Sequence, residues 1–115
     1  MFPLNLVSYL WSDKTVRVAA AEVVLRTRDE VWREVSSQIV GMGQAEAAGY
    51  TRVRANPVVQ RETSDLIESN SHLSSWIHQR IFDAAVEEVI QHAWRLASRA
   101  KRIERRGQQR LRRAA

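Results

Sequence analysis

Residues 82–107, which decide the fold, have the sequence FDAAVEEVIQHAWRLASRAKRIERRG. Apolar or small side chains recur along this stretch with alternating spacings of four and three. They are Phe82, Val86, Val89, Ala93, Leu96, Ala100, Ile103 and Gly107. Such spacing is typical of one continuous face of an α-helix, as in the seam of a coiled coil. The pattern therefore predicts a long helix that packs through this face.

The predicted helix extends back to about residue 72. Its first half carries a second apolar stripe, which the second half lacks. The stripe consists of Leu73, Ile77, Ile81, Ala84 and Ala85. The sequence before Trp94 is therefore expected to be buried on two sides. Beyond Trp94 only the narrow seam remains, with charged residues around it. We expect this second half to project from the rest of the fold or to pair with a single neighbour.

A similar seam upstream predicts the first helix. Its positions are Val18, Ala21, Leu25, Arg28, Trp32, Val35, Ile39 and Met42, and Val24 and Val31 widen the stripe. Ser12 or Asp13 is expected to cap the start, because their side-chain oxygens accept the unpaired N–H groups of a first turn. Gly41 and Gly43 are expected to end the helix. A short strand at residues 14–19 is the weaker alternative.

Residues 44–69 are predicted to form the middle helix. The run Gln44–Ala48 has high helix propensity, whereas Tyr50–Arg54 has some strand character. No partner strand is evident, so helix is favoured. Pro57 lacks an N–H donor and disfavours helical geometry at Asn56, which predicts a break or kink there. Asn56 with Pro57 is alternatively a fresh helix start.

Together these patterns predict an all-α fold, a bundle of three main helices with a projecting C-terminal helix. The helices are expected at about residues 13–41, 44–69 and 72–107. We expect residues 1–107 to form a single helical domain and residues 108–115 to form a basic tail. The apolar residues 1–11 are too few to span a bilayer and lack the features of a secretory signal. The absence of cysteine fits a cytoplasmic protein.

Charge is distributed unevenly along the chain. Residues 1–94 hold nine basic and twelve acidic side chains, a net charge of −3, whereas residues 95–115 hold nine basic side chains and only Glu104, a net of +8. The candidate polyanion-binding residues are Arg95, Arg99, Lys101, Arg102, Arg105, Arg106, Arg110, Arg112 and Arg113. A helix with cations outside its apolar seam can neutralise phosphates without recognising base sequence. The competing interpretation is a solvated, fraying terminus whose charge aids solubility.

The two long seams also predict self-association, because they present more apolar surface than three helices are expected to bury. A symmetric dimer is the simplest assembly. The candidate interface residues are Leu25, Trp32, Ile39, Phe82, Val86, Val89, Leu96 and Ile103. Membrane binding is not expected, because the basic segment has few bulky apolar residues to insert.

The remaining motifs do not predict a catalytic or cofactor site, and a metal-dependent helical enzyme is the least favoured alternative. Ser74, His78 and Asp83 lack the sharp turn that presents a nucleophile, and Glu88 with His92 lacks the Glu-x-x-His spacing of carboxylate-bridged metals in helical bundles. Trp76 and the neighbouring Ile77 are expected to be buried and therefore not to contact nucleic-acid bases. No catalytic residue, metal or cofactor is therefore predicted.

The sequence favours a non-enzymatic helical interaction or assembly module. We expect it to self-associate and to contact an acidic partner through the basic C-terminal helix. The alternative is a nucleic-acid-binding protein that uses the same arginines without sequence specificity.

Overall fold

The computed structural model describes residues 4–70, 73 and 75–114, with side chains from residue 13 onward. It contains α1 (Leu4–Ile39), α2 (Gln44–Ser69) and α3 (His78–Ala114), and a short 3-10 helix at Ser75–Ile77 leads into α3. Of the described residues, 94% are helical and none lies in a strand. The predicted all-α helical bundle is therefore confirmed.

The three helices pack against one another in an up-down-up arrangement. The connection between α1 and α2 is short, which makes these helices antiparallel neighbours. The α2–α3 contacts are also antiparallel, since Arg52 pairs with Glu87 while Gln60 meets His78. It follows that α1 and α3 run parallel, and that the end of α3 emerges beside the α1–α2 connection.

Short aliphatic side chains fill the space between the helices. The buried core includes Val23, Val31, Val35 and Ile39 of α1, Ala47, Ala55, Val59 and Leu66 of α2, and Ile81, Ala85, Val86, Val89, Ala93 and Ala97 of α3. Thr27 and Thr63 are fully buried as well. Their hydroxyl groups donate to the carbonyl oxygens of Val23 and Val59, at 2.8 and 2.7 Å. These bonds satisfy the hydroxyls and allow threonine to occupy core positions.

The inward face of α1 differs from the predicted seam. Val35 and Ile39 are buried as expected, but Leu25 is 58% exposed and Val18 is exposed as well. The inward stripe runs instead through Val16, Ala20, Val23, Thr27 and Val31. Periodicity of apolar residues misplaced this face because Thr27, a core residue, counts as polar in such a pattern.

The predicted start of α1 was also wrong. The helix begins at Leu4 and continues through Ser12 and Asp13, so neither residue caps it, and the strand alternative at residues 14–19 is excluded. No Gly or Pro interrupts the sequence from Leu4 to Ile39, and the helix can therefore extend across potential capping residues. It ends at Ile39, shortly before Gly41, near the predicted end.

The helix predicted at residues 44–69 is confirmed, including Tyr50–Arg54, but it does not break at Pro57. The proline lies inside the continuous α2. Pro57 itself is exposed, and Val53, whose carbonyl would accept the missing N–H, is 70% exposed. Water can therefore satisfy that carbonyl, while Ala55 and Val59 pack into the core on the opposite face.

The last helix starts later and ends later than predicted. It begins at His78 after the 3-10 helix, whereas the predicted start was at about residue 72. Ile77 is buried as expected, whereas Trp76 is 64% exposed. The helix passes Gly107 without interruption and continues to Ala114. The proposed boundary between residues 107 and 108 therefore does not coincide with a helix end.

The described part of the molecule is elongated. It measures 76 × 28 × 20 Å. The shorter dimensions match a bundle of helices that are each about 10–12 Å wide. None of the described helices combines the length and apolarity needed to cross a membrane.

Candidate functional site

The last third of α3 leaves the bundle and stands in solvent. Ala97 is its last buried residue, at 2% exposure. Every residue from 101 to 114, called here the projecting segment, is exposed. It contains seven basic residues and one acidic residue, Glu104, for a net charge of +6: Lys101, Arg102, Arg105, Arg106, Arg110, Arg112 and Arg113. The other candidate cations, Arg95 and Arg99, are exposed where α3 still borders the bundle.

Four arginines of the bundle have acidic partners, usually on a neighbouring helix: Arg26, Arg52, Arg61 and Arg80. Arg61 donates to Glu30 at 2.8 Å, and Arg80 donates to Asp13 at 2.9 Å. Arg52 pairs with Glu87 across α2 and α3. The hydrogen bond to Glu30, strengthened by its charge, raises the pKa of Arg61 above its ordinary value. These pairs are exposed and add little stability each, but they neutralise the charges locally.

The basic residues of the projecting segment lack such partners. Among the residues that the structure describes, no salt bridge involves a cation between Arg95 and Arg113. The guanidinium of Arg102 reaches only the backbone carbonyl of Ser98, at 3.4 Å. The positive charge of this segment is therefore uncompensated within the described chain.

The cations occupy about half of the helix circumference, as follows from 3.6 residues per turn. Lys101, Arg105 and Arg112 lie along one edge of this basic face, and Arg99 with Arg110 lies along the other. The opposite face carries Leu96, Ala100, Ile103, Gly107 and Leu111. Ile103 is 64% exposed. The projecting segment is therefore amphipathic, with a broad basic face and a narrow apolar face.

A notch lies at the base of the projecting segment, where α3 passes the α1–α2 connection. The cavity is about 220 Å³ and is lined by Val40, Trp94, Ala97, Ser98, Lys101, Arg102 and Arg105. Trp94 is half-buried and packs against the core while also lining the notch. An aromatic side chain held by the bundle therefore borders three cations of the candidate polyanion-binding set.

In the sequence pattern Trp94 marks only the end of the second apolar stripe, and the pattern does not assign Trp94 to a site. The available signal was its spacing from the cations. Lys101 and Arg105 follow Trp94 by seven and eleven residues, which places all three on one face of a helix. Val40 could not have been found in this way, because only the folded bundle brings it to α3.

His92 lies in a separate groove between α1 and α3. The groove is lined by Val24, Arg28, Glu88, Gln91, His92 and Arg95. Burial lowers the pKa of His92, and the charges of Arg28 and Arg95 lower it further. In the described part of the chain, no group of three or more His, Asp or Glu side chains is placed to hold a metal ion.

His78 contacts α2. Its Nε2 atom lies 3.3 Å from the Ser64 hydroxyl and 3.2 Å from the Gln60 amide nitrogen. Asp83 accepts a hydrogen bond from Gln79 at 2.8 Å. Ser74, the third residue of the motif considered above, lies outside the described residues. The packing of α2 against α3 accounts for these contacts.

The candidate interface residues fall into three groups. Ile39, Val86 and Val89 are buried inside the single chain, and Trp32, Phe82 and Leu96 are half-buried. Only Leu25 and Ile103 are mostly exposed. Much of the apolar surface that suggested a dimer is thus buried by the three helices of one chain, and self-association stays a prediction.

No protein-family model, curated protein or solved structure matches the chain.

Proposed function

We propose that the protein is a non-enzymatic interaction module whose projecting segment binds an acidic, polyanionic partner. The observation that supports this most strongly is the set of seven exposed cations without acidic partners in the described chain. The bundle acts in this proposal as the scaffold that holds the segment away from its own acidic surface. A cytoplasmic location is retained as part of the same proposal.

The electrostatics of the segment favour a partner over a role in solubility alone. Arg102, Arg106 and Arg110 follow one another at intervals of four residues, where like charges repel by about 0.2–0.5 kcal/mol per pair. A polyanion would remove this repulsion and gain charge-assisted hydrogen bonds to guanidinium groups. Binding should therefore stabilise the helical form of the segment.

The proposal is tested with two variants that remove equal charge from different regions. One changes Arg105, Arg106, Arg110 and Arg113 to Gln in the projecting segment. The control changes Lys14, Arg17, Arg33 and Arg54 to Gln, all of which are exposed on the bundle. Each variant lowers the formal net charge from +5 to +1. Binding of labelled polyglutamate and of a labelled nucleic-acid duplex is measured by fluorescence anisotropy over a range of salt concentrations.

We expect the first variant to lose most of its binding and the control to retain it. If all four arginines contact phosphates, the slope of log K against log salt for the duplex becomes shallower by about 3.6, or 0.9 per contact. Equal losses in the two variants would show that net charge alone matters and would refute the proposal. Circular dichroism verifies that both variants remain helical.

Nucleic-acid binding without sequence specificity is the second candidate. The observation that favours it is the position of Trp94 beside Lys101, Arg102 and Arg105. Cations next to an aromatic side chain are a common feature of proteins that bind nucleic-acid strands.

A further inference from the structure

The notch beside Trp94 combines apolar surface with positive charge. Recognition of an acidic protein surface requires the positive charge but not the apolar surface. Val40, Trp94 and Ala97 make part of its lining apolar, and Lys101, Arg102 and Arg105 supply three positive charges. Carboxylate side chains present charge but no flat apolar surface. A nucleotide presents both, since its phosphate is anionic and its base has a π-face that stacks on aromatic rings.

We infer that this notch binds an unpaired base of a single-stranded nucleic acid, with the adjoining phosphates on Lys101 and Arg105. The inference rests on the proposed function and specifies its partner. Trp94 suits this role because the core holds it in place while it also borders the cavity. A stacking platform that is already fixed costs little conformational entropy on binding.

The remaining cations continue the same path outward. Trp94, Lys101, Arg105 and Arg112 share one face of α3, at intervals of seven, four and seven residues. From Lys101 to Arg112 this face extends about 16 Å, at 1.5 Å per residue. A strand with one base in the notch can therefore run along the projecting segment with successive phosphates beside cations.

A duplex fits this arrangement less well. Its bases are stacked on one another and paired, so none is free to enter the notch without the cost of unstacking. The cations would still attract its phosphates. The inference therefore predicts a preference for single strands that depends on Trp94, in addition to the general attraction for polyanions.

The first test compares the parent protein with Trp94→Leu and Trp94→Phe. Leucine retains apolar packing without a ring, and phenylalanine retains a ring. Three probes are used in anisotropy titrations: labelled oligouridylate, the same strand annealed to oligoadenylate, and labelled polyglutamate. We expect Trp94→Leu to weaken binding of the single strand by about tenfold, as for loss of one stacked base. Trp94→Phe should fall between this variant and the parent, and the affinities for duplex and polyglutamate should change less than about twofold.

A second pair of variants leaves the core intact, in case Trp94→Leu does not fold. Lys101 and Arg105, which line the notch, are changed to Gln; in the matched control Arg99 and Arg106, on another face of the same helix, are changed to Gln. Both lower the formal net charge from +5 to +3. The first should weaken single-strand binding more and reduce its salt slope by about 1.4, or 0.7 per phosphate contact.

The outcomes separate the inference from the proposed function. Equal binding of single strand and duplex by the parent, unchanged single-strand affinity in folded Trp94→Leu, or equal losses in the two charge variants would overturn the inference. Binding of polyglutamate without binding of either nucleic acid would also overturn it but would leave the proposed function standing. Failure of the parent to bind any of the three probes would refute both.

Discussion

Arg61 in the bundle and Arg106 in the projecting segment have opposite electrostatic surroundings. Arg61 crosses from α2 to Glu30 of α1, whereas Arg106 is exposed and has no salt-bridge partner in the described chain. An arginine thus forms part of the bundle surface in one region, and an arginine in the other region is available to a partner. What differs is the presence of a neighbouring helix, because α1 places Glu30 within reach of Arg61 and the described residues around Arg106 are all exposed.

The largest contrast between the two regions should appear when one apolar residue in each becomes charged. Val89 is fully buried and Ile103 is 64% exposed, although both belong to the same predicted seam. Val89→Asp places an unpaired charge in the core and should cost about 3–5 kcal/mol, enough to unfold a marginal bundle. Ile103→Asp should change the free energy of unfolding by less than about 0.5 kcal/mol. Urea denaturation followed by circular dichroism measures both, and similar losses would mean that the segment packs on the bundle or on a second copy.

A smaller contrast concerns the residues that disfavour helix in each region. Pro57 lies within α2 and Gly107 within the projecting segment, where nothing lies within 4 Å of an added Cβ atom. Pro57→Ala restores a backbone hydrogen bond and should stabilise the bundle by about 1–3 kcal/mol.

Gly107→Ala is the matched change outside the bundle. It should raise helicity locally without moving the global unfolding transition, and hydrogen exchange of residues 101–114 measures that local effect.

A destabilised Pro57→Ala protein would show that the packing of α2 depends on the proline ring.

The ion pairs of the bundle should have a weaker effect on the free energy of unfolding than Pro57→Ala. Arg61→Gln removes the surface contacts with Glu30 and Glu62 and should lower the free energy of unfolding only slightly. The loss should shrink at high salt because exposed charges are screened. Arg106→Gln should not destabilise the protein at all. Denaturation at low and high salt tests this difference, and equal losses would contradict it.

The smallest expected effect is a dependence of stability on pH through His92. Its pKa is lowered in the folded protein by burial and by Arg28 and Arg95. The unfolded chain therefore binds a proton more readily, and the free energy of unfolding should fall as the pH drops below about 6.5. His92→Gln should reduce this dependence when unfolding is compared at pH 7 and pH 5. An unchanged dependence would assign it to other groups.

Helical content and the exposed basic end could be predicted from the sequence because both depend on local patterns. The spacing from Phe82 to Gly107 indicated a long helix, and the concentration of arginines after Trp94 needed no knowledge of packing. The face of α1 could not be placed in the same way. Val18 and Leu25 have the right spacing for a seam, but the choice between two apolar stripes depends on which one fits α2 and α3. Thr27 entered the core through a backbone hydrogen bond that no hydropathy pattern records.

The notch required the tertiary structure for a similar reason. Val40 and Trp94 are far apart in sequence, and only the parallel packing of α1 and α3 places them in one cavity. The cations that border it were predicted individually as polyanion-binding residues. Their association with an aromatic ring depends on the point at which α3 leaves the bundle, which the sequence located only approximately.

The uninterrupted course of α3 makes the molecule an electric dipole with a defined direction. The chain outside the projecting segment carries a net charge of −1, and the projecting segment carries +6 over a length of about 21 Å at 1.5 Å per residue. This length exceeds two Debye lengths at physiological ionic strength, so the two poles act separately on an approaching molecule. A polyanion is attracted by the tip and not by the nearly neutral body, and is therefore turned toward the tip before any contact forms. Such steering accelerates encounter and weakens steeply as salt is added, so under the proposed function the helix that carries the candidate binding residues would also orient the collision.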